Sequence, residues 1–431
     1  MRRGKGPLLL QAMGRLPPKG GRTGTRWAEM GRVPISAHFR RMKSPQAYRG
    51  NEQTYVKHFF LERYLERVAY IILSNWPKFV YVDGFSGPWK SRDEQFKDTS
   101  FIIAIDKLRE VKAALRQAGK AASPRCIFIE KNPESFAELQ SVVSRIPDLD
   151  IAALQGEFRD LIPAIAGEIG RQFSFVFIDP TGWTGFDMHN LDPLLKLRGE
   201  VLINFMFDHI NRFVEHPNPK TAEGFNSLFG HPNWYDLYTD HIDKGLSRED
   251  AIVAVYMDRL RQVGGFAHVT CTRIKKPLSE RSYFYLIYAT RHWKGILEFR
   301  KVEQRAADEQ ESVFGATRRL RKVAQTGQED LFARADVSEP NLPFEQQRSL
   351  KQSLARSLLF SIIRENHEIA YESVLGKVLE IPLVSVQDLN GWLAELRKAG
   401  AIEIVGLVGR ERVPKPGHVV RSLRTQDNIA E

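Results

Sequence analysis

The chain has 431 residues, two cysteines and a net charge of +11. That length suits two or three domains with cores of their own. Two cysteines exclude a disulfide framework and a four-cysteine zinc site and fit a reducing, cytoplasmic location, and no apolar run reaches the roughly 18 residues of a membrane span. Residues 1–50 hold twelve Lys and Arg against one acid, Glu29, and so carry the entire net charge. The neutral remainder excludes a globally basic nucleic-acid binder.

In chain order, the Gly/Pro-rich basic leader, residues 1–50, has few core-forming residues and is expected to be disordered. A start at Met30 or Met42, an inert tail and a polybasic arm for nucleic acid all stand open. From Glu52 to Trp76 the spacing of Phe59, Leu61, Leu65, Val68 and Ile72 predicts an amphipathic helix. Strands are expected at Phe79–Asp83, Arg125–Glu130, Ile151–Leu154, Phe175–Asp179 and Glu200–Phe205. Helical patterns lie between them at Ser100–Ala118, Pro133–Arg145, Leu161–Ile169 and Met188–Leu197. Strands alternating with helices make βα units and a parallel sheet covered on both faces. Residues 211–262 read as a helical insertion. Two further strands, Ala267–Ile274 and Tyr283–Thr290, read as an antiparallel hairpin.

Seven strands ending in a hairpin are the layout of a class I methyltransferase-like Rossmann sheet, an α/β domain over residues 51–302. A polar connector, 303–345, leads to a second unit over 346–425. Its first helix is expected to carry Leu350, Leu354, Leu358 and Ile362, and a second runs near Tyr371–Leu379. Pro382 breaks the chain. Ser385 with Asp388 resembles a capping box ahead of a stripe of Leu389, Trp392, Leu393 and Leu396. An alternating strand at Ile402 and Ile404 turns at Gly406–Gly409 into Arg410–Val413. Three helices and a wing predict a winged helix-turn-helix.

In a parallel α/β sheet ligands sit beyond the carboxyl ends of the strands, and four of these ends are acidic. The first reads Asp83-Gly84-Phe85-Ser86-Gly87, where glycine lets a ligand approach the backbone. The second ends at Glu130, suited to ribose hydroxyls. The third continues into Glu157 and Phe158, an acid for an adenine amino group and a ring for the base. The fourth ends in Asp179-Pro180-Thr181-Gly182-Trp183. An acid at the first tip favours S-adenosylmethionine over a dinucleotide. Methyl transfer to an exocyclic amine needs the nitrogen lone pair aimed at the methyl carbon. Asp179 and the Pro180 carbonyl would accept the amine protons while Trp183 stacks on its plane, which is catalysis by positioning. Each acid also reads as a helix cap or turn residue. In the second unit Arg410, Arg412 and Lys415 are candidate phosphate contacts for DNA or RNA, although such modules also dock proteins.

Five segments carry a resemblance to the bacterial three-Cys-motif partner protein (TcmP) family: Phe60–Leu65, Tyr81–Pro88, Phe177–Gly182, Leu228–Gly230 with Trp234, and Tyr283–Ala289. The resemblance implies a methyltransferase-type domain and a partner protein with a three-cysteine motif, of a phage-protein-like family. A non-catalytic scaffold that binds a nucleoside or assembles a complex is the alternative. Three features depart from active methyltransferases. Pro88 and Trp89 replace the final glycine of the first loop, Trp183 stands four residues after Asp179, and 47 residues separate Asp83 from Glu130. Ser91–Asp98 is therefore expected to be an inserted loop, a lid over the site.

Overall fold

Alternation along the strands sorts side chains by face, and the sorting explains the layers. Val80 and Val82, Ile127 and Ile129, Val176 and Ile178, and Val201 and Ile203 all join one buried cluster. Their neighbours Phe79 and Tyr81, Cys126 and Phe128, Phe175 and Phe177, and Leu202 join another. Successive residues of a strand point to opposite faces, so a run that is apolar throughout belongs to a sheet covered on both sides. The computed structural model describes residues 44–87, 99–180, 182, 185–214, 219–326 and 342–423.

The sheet strands are β1 (Lys78–Asp83), β2 (Ser123–Glu130), β3 (Asp150–Gln155), β4 (Ser174–Ile178), β5 (Gly199–Phe205), β6 (His268–Lys275) and β7 (Ser282–Thr290). They lie in the order β3-β2-β1-β4-β5-β7-β6. Strands β1 to β5 are mutually parallel, and β7 runs antiparallel to both β5 and β6. This is the seven-stranded α/β layout expected from the sequence, with the hairpin turned so that its second strand is the inner one.

Helices α1 (Glu52–Leu73), α2 (Ser100–Gln117) and α3 (Pro133–Val143) contribute to the aromatic face. Helices α4 (Phe158–Ile169) and α5 (Met188–Leu195) cover the other. The insertion supplies α6 (Phe207–Ile210), α7 (Pro219–Phe229), α8 (Trp234–Asp243) and α9 (Arg248–Gly264), which add to that second face. Within it Trp234 stacks on Phe229 with centroids 4.9 Å apart. The leader's last residues belong to the folded part: Pro45–Tyr48 form a 3₁₀ turn, and Tyr48 is buried with its hydroxyl 3.2 Å from His58 Nδ1. Residues 1–43, Pro88, Trp89, Ser91–Asp98 and Arg424 lie outside the described residues.

After β7 a single long helix, α10 (Trp293–Thr326), replaces the first part of the expected connector. Its early turns serve two cores. Phe299 and Val302 pack with α1 on the aromatic face, while Ile296 joins the core of the C-terminal unit. That unit comprises α11 (Leu342–Glu365), β8 (Glu368–Ala370), α12 (Tyr371–Val378), α13 (Val386–Lys398), β9 (Ile402–Val405) and β10 (Val419–Ser422). Its sheet is antiparallel in the order β8-β10-β9. The capping box is present: Ser385 and Asp388 exchange backbone and side-chain bonds at the start of α13.

Two expectations need correction. The buried stripe of α11 is Ala355, Leu359, Ile362 and Ile363, whereas Leu350 and Leu354 are exposed. The apolar spacing was right for a helix, but its phase is set by what α12 and α13 offer to pack against. The strand that returns to β9 is Val419–Ser422, beyond Arg410–Val413. No helix among the described residues is long and apolar enough to cross a membrane.

Candidate functional site

The reversal of strand order falls between β1 and β4, which are neighbours although β2 and β3 fold between them in sequence. Asp83 ends β1, and Asp179 follows β4 directly. Both continue the alternation of the aromatic face, as Glu130 does after Phe128 and Asn204 after Leu202. All four therefore emerge on the side covered by α1. Because α1 precedes β1 and packs against it, its first turns hang over the carboxyl ends of the strands.

That geometry brings Lys57 of α1 onto Asp179. Its ammonium donates to Asp179 Oδ2 at 2.5 Å, with side-chain exposures of 11% and 15%. Asn204 Nδ2 of β5 donates to Asp179 Oδ1 at 2.6 Å. Both oxygens of the proposed acceptor are thus engaged within the chain. Asn204 Oδ1 is buried and finds no partner among the described residues. Lys57 Nζ also lies 5.8 Å from the centroid of the Phe284 ring, a distance at which an aromatic face attracts a cation. Pro180 is buried, and Thr181 and Trp183 lie outside the described residues.

Asp83 is completely buried. Its Oδ1 accepts from Phe85 N at 3.1 Å, and its backbone carbonyl accepts from Ser86 Oγ at 2.9 Å. The carboxylate therefore builds the turn that follows it. Burial pushes its pKa up to about 6; hydrogen bonds from Ser100 and the Phe85 amide pull it down, the Asp179 charge pushes it further up, and Lys57 pulls it back. Asp83, Lys57 and Asp179 form one electrostatic group. Ser86 N donates to Ile129 O at 2.8 Å and Gly84 N to Phe177 O at 3.0 Å, so the turn is tied to both neighbouring strands.

Gly84 is required by a close approach. A Cβ there would stand 3.0 Å from the Phe158 ring. The ring expected to lie over a base is buried against Gly84, 5.5 Å from the Phe85 centroid. Glycine at this position therefore admits Phe158. Gly87 is half-buried. Glu130, also buried, accepts from Asn132 N through Oε1 at 2.6 Å. Glu157 stands at the N-cap position of α4 without a side-chain capping bond and faces Lys131 at 3.5 Å, with 44% of its side chain exposed. The structure thus gathers Asp83 and Asp179, while Glu130 accepts within its own loop and Glu157 faces Lys131 on the loop after β2.

Lys57 and Asn204 were missed in the sequence. A lysine between Val56 and Phe60, inside the buried stripe of α1, was the available signal for the first. Asn204 was visible as the lone amide in Val201–Phe205.

In the C-terminal unit Arg410 and Arg412 are exposed. Lys415 is paired with Glu411, and Arg421 with Glu368 at 2.6 Å and Glu403 at 2.9 Å. Part of the expected basic face is therefore neutralised by its own acids.

No protein-family model matches the chain, and no curated protein does. Among solved structures it is similar to loganic acid methyltransferase with SAH, at 10% identity and a TM-score of 0.27, over 66% of this chain and 92% of that one. At that TM-score the likeness fixes nothing about the site. The class defined by strand order is an α/β fold with a seven-stranded, mostly parallel sheet.

Proposed function

We propose that the protein is an S-adenosylmethionine-dependent methyltransferase whose nucleoside edge is formed by the carboxyl ends of β1, β2 and β4. One observation carries this reading: the strand order reverses between β1 and β4, and the two tips at that reversal are Asp83 with its turn and Asp179. In open α/β sheets that crevice takes the ligand. Glu130 engages Asn132 through Oε1, which leaves Oε2 for ribose hydroxyls. The acceptor is an exocyclic amine of a nucleic-acid base, placed by Asp179, Pro180 and Trp183. For that role the amine must displace Lys57 or Asn204 from Asp179. The C-terminal unit acts as a winged helix that targets the enzyme, with Arg410 and Arg412 on phosphates, and a three-Cys-motif protein is its partner.

The test is a calorimetric titration with S-adenosylmethionine and S-adenosylhomocysteine. Saturable binding of both is expected, at least about tenfold weaker in Glu130→Ala because a charge-assisted bond is lost. The absence of heat from either ligand would overturn the reading. The full occupation of Asp179 within the chain favours a second one, in which the domain binds a nucleoside without turnover and serves as a scaffold. Cofactor binding without transfer of label from a tritiated methyl donor to DNA or RNA oligonucleotides would select it.

A further inference from the structure

We propose that the end of α10, with Arg318, Arg319, Arg321 and Lys322, binds the sugar–phosphate backbone of a nucleic-acid strand beside the candidate site. The surface deepens the methyl-transfer reading and rests on it for the acceptor base alone, since backbone binding needs no methyl donor.

Charge along α10 is sorted by position. Acids and cations are mixed from Glu298 to Glu311, whereas residues 312–326 hold these four cations and no acid. A helix dipole favours cations only within the last turn, and the last turn here has none. The sorting is therefore not a response to the dipole. Arg318 stands 3.9 Å from Glu311, while Arg319 and Arg321 have no acidic partner among the described residues. Arg319, Arg321 and Lys322 are all exposed.

The end of the helix also overhangs the core. Val313 and Phe314 are buried, yet Leu320 and Arg321, seven residues after each, are exposed. Residues seven apart share a helix face, so the packing that covers the first pair has ended before the second. The overhang is on the side of the candidate site. Helix α10 runs antiparallel to α1: Arg67 pairs with Glu298, Tyr55 Oη donates to Glu309 at 2.7 Å, and Thr317 Oγ1 to Glu52 at 3.2 Å. Its end thus passes the start of α1, whose first turns hang over the strand tips. Lys322 and Lys57 lie five residues to either side of the Thr317–Glu52 contact, ~15 Å apart along the axis at a rise of about 1.5 Å per residue. A strand whose base stands at Asp179 can reach that far.

The leader joins the fold at the same end. Gly50 N donates to Glu52 Oε1 at 3.0 Å, the oxygen that Thr317 also meets. Residues 1–43 hold eleven Lys and Arg against one acid, Glu29. Clustered cations without acidic partners attract a polyanion, and two such groups converge here.

The test follows the fluorescence anisotropy of labelled single strands of about 20 nucleotides, one DNA and one RNA, titrated with the full chain between about 50 and 300 mM salt. Saturable binding is expected, and the tighter strand identifies the backbone. Arg319→Gln/Arg321→Gln should weaken it about tenfold at low salt. The salt slope should fall by about 1.4, two contacts at about 0.7 each on a single strand. Glutamine suits an exposed helical position, and an unchanged Tm verifies the fold. A wild type without saturable binding overturns the proposal. So does unchanged affinity and slope in the variant: the strand is then held by the leader or by Arg410 and Arg412, or the acids of residues 327–341 already neutralise the cluster. Calorimetry with S-adenosylmethionine separates the two readings, because no cofactor heat with the anisotropy difference intact removes methyl transfer and keeps the surface.

Discussion

Replacing Asp179 by alanine removes the acceptor from two donors at once. Lys57 Nζ loses its contact at 2.5 Å and Asn204 Nδ2 its contact at 2.6 Å. Solvent reaches neither donor well enough to replace the loss in full: the Lys57 side chain is 11% exposed and Asn204 is buried. Breaking a buried ion pair from one side costs about 3–5 kcal/mol. The small residual exposure points to the lower end, about 3 kcal/mol, or a fall of roughly 5–8 °C in Tm for a unit of this size. Lys57→Met should cost a similar amount, because it strands Asp179 beside the buried Asp83. The two losses describe one interaction, so Lys57→Met/Asp179→Ala should be far less unstable than their sum, with a coupling of about 2 kcal/mol. Urea unfolding followed by circular dichroism on the four proteins measures it. Additivity within about 0.5 kcal/mol, or single losses below about 1 kcal/mol, would refute the claim that Lys57 and Asp179 are mutually dependent.

Asp83 sets a pH dependence of opposite sign to the usual carboxylate. Its native pKa of about 6 lies above its ordinary value of 3.8, so between those pH values the native state holds a proton that the unfolded chain releases. Its contribution is present below about pH 4 and is lost as pH rises through 6, amounting to about 3 kcal/mol. Asp83→Asn should remove that slope, so its stability relative to wild type rises between pH 4 and 7; parallel profiles would refute it. Gly84→Ala should cost about 1–2 kcal/mol by pressing a methyl on the buried Phe158 ring, read as a lowered Tm. A second substitution, Phe158→Leu, should recover part of the loss. Arg300→Leu should cost more than about 3 kcal/mol, because its guanidinium joins Glu303, Thr270 Oγ1, Leu379 O and Glu380 O. Limited proteolysis should then cut between α10 and the C-terminal unit, and uncut chain would count against that role.

Much of the fold was legible in local pattern. Valine and isoleucine alternating with aromatics marked strands covered on both faces, and Ser385 with Asp388 announced its helix, because periodicity and capping depend on residues a few positions apart. The phase of α11 was not legible. Leu350 and Leu354 share a helical spacing with Leu358, but only the partner helices decide which stripe is covered.

The same division runs through the candidate site. By itself the sequence determined that Asp83, Glu130 and Asp179 end strands, since an acid closing an apolar run can only stand at a tip. Which tips meet was decided by the order of strands, and β1 beside β4 joins residues almost a hundred positions apart. Tertiary structure alone set Lys57 on Asp179 and Phe158 on Gly84, because a buried charge or ring takes its partner from whatever the packing brings within reach.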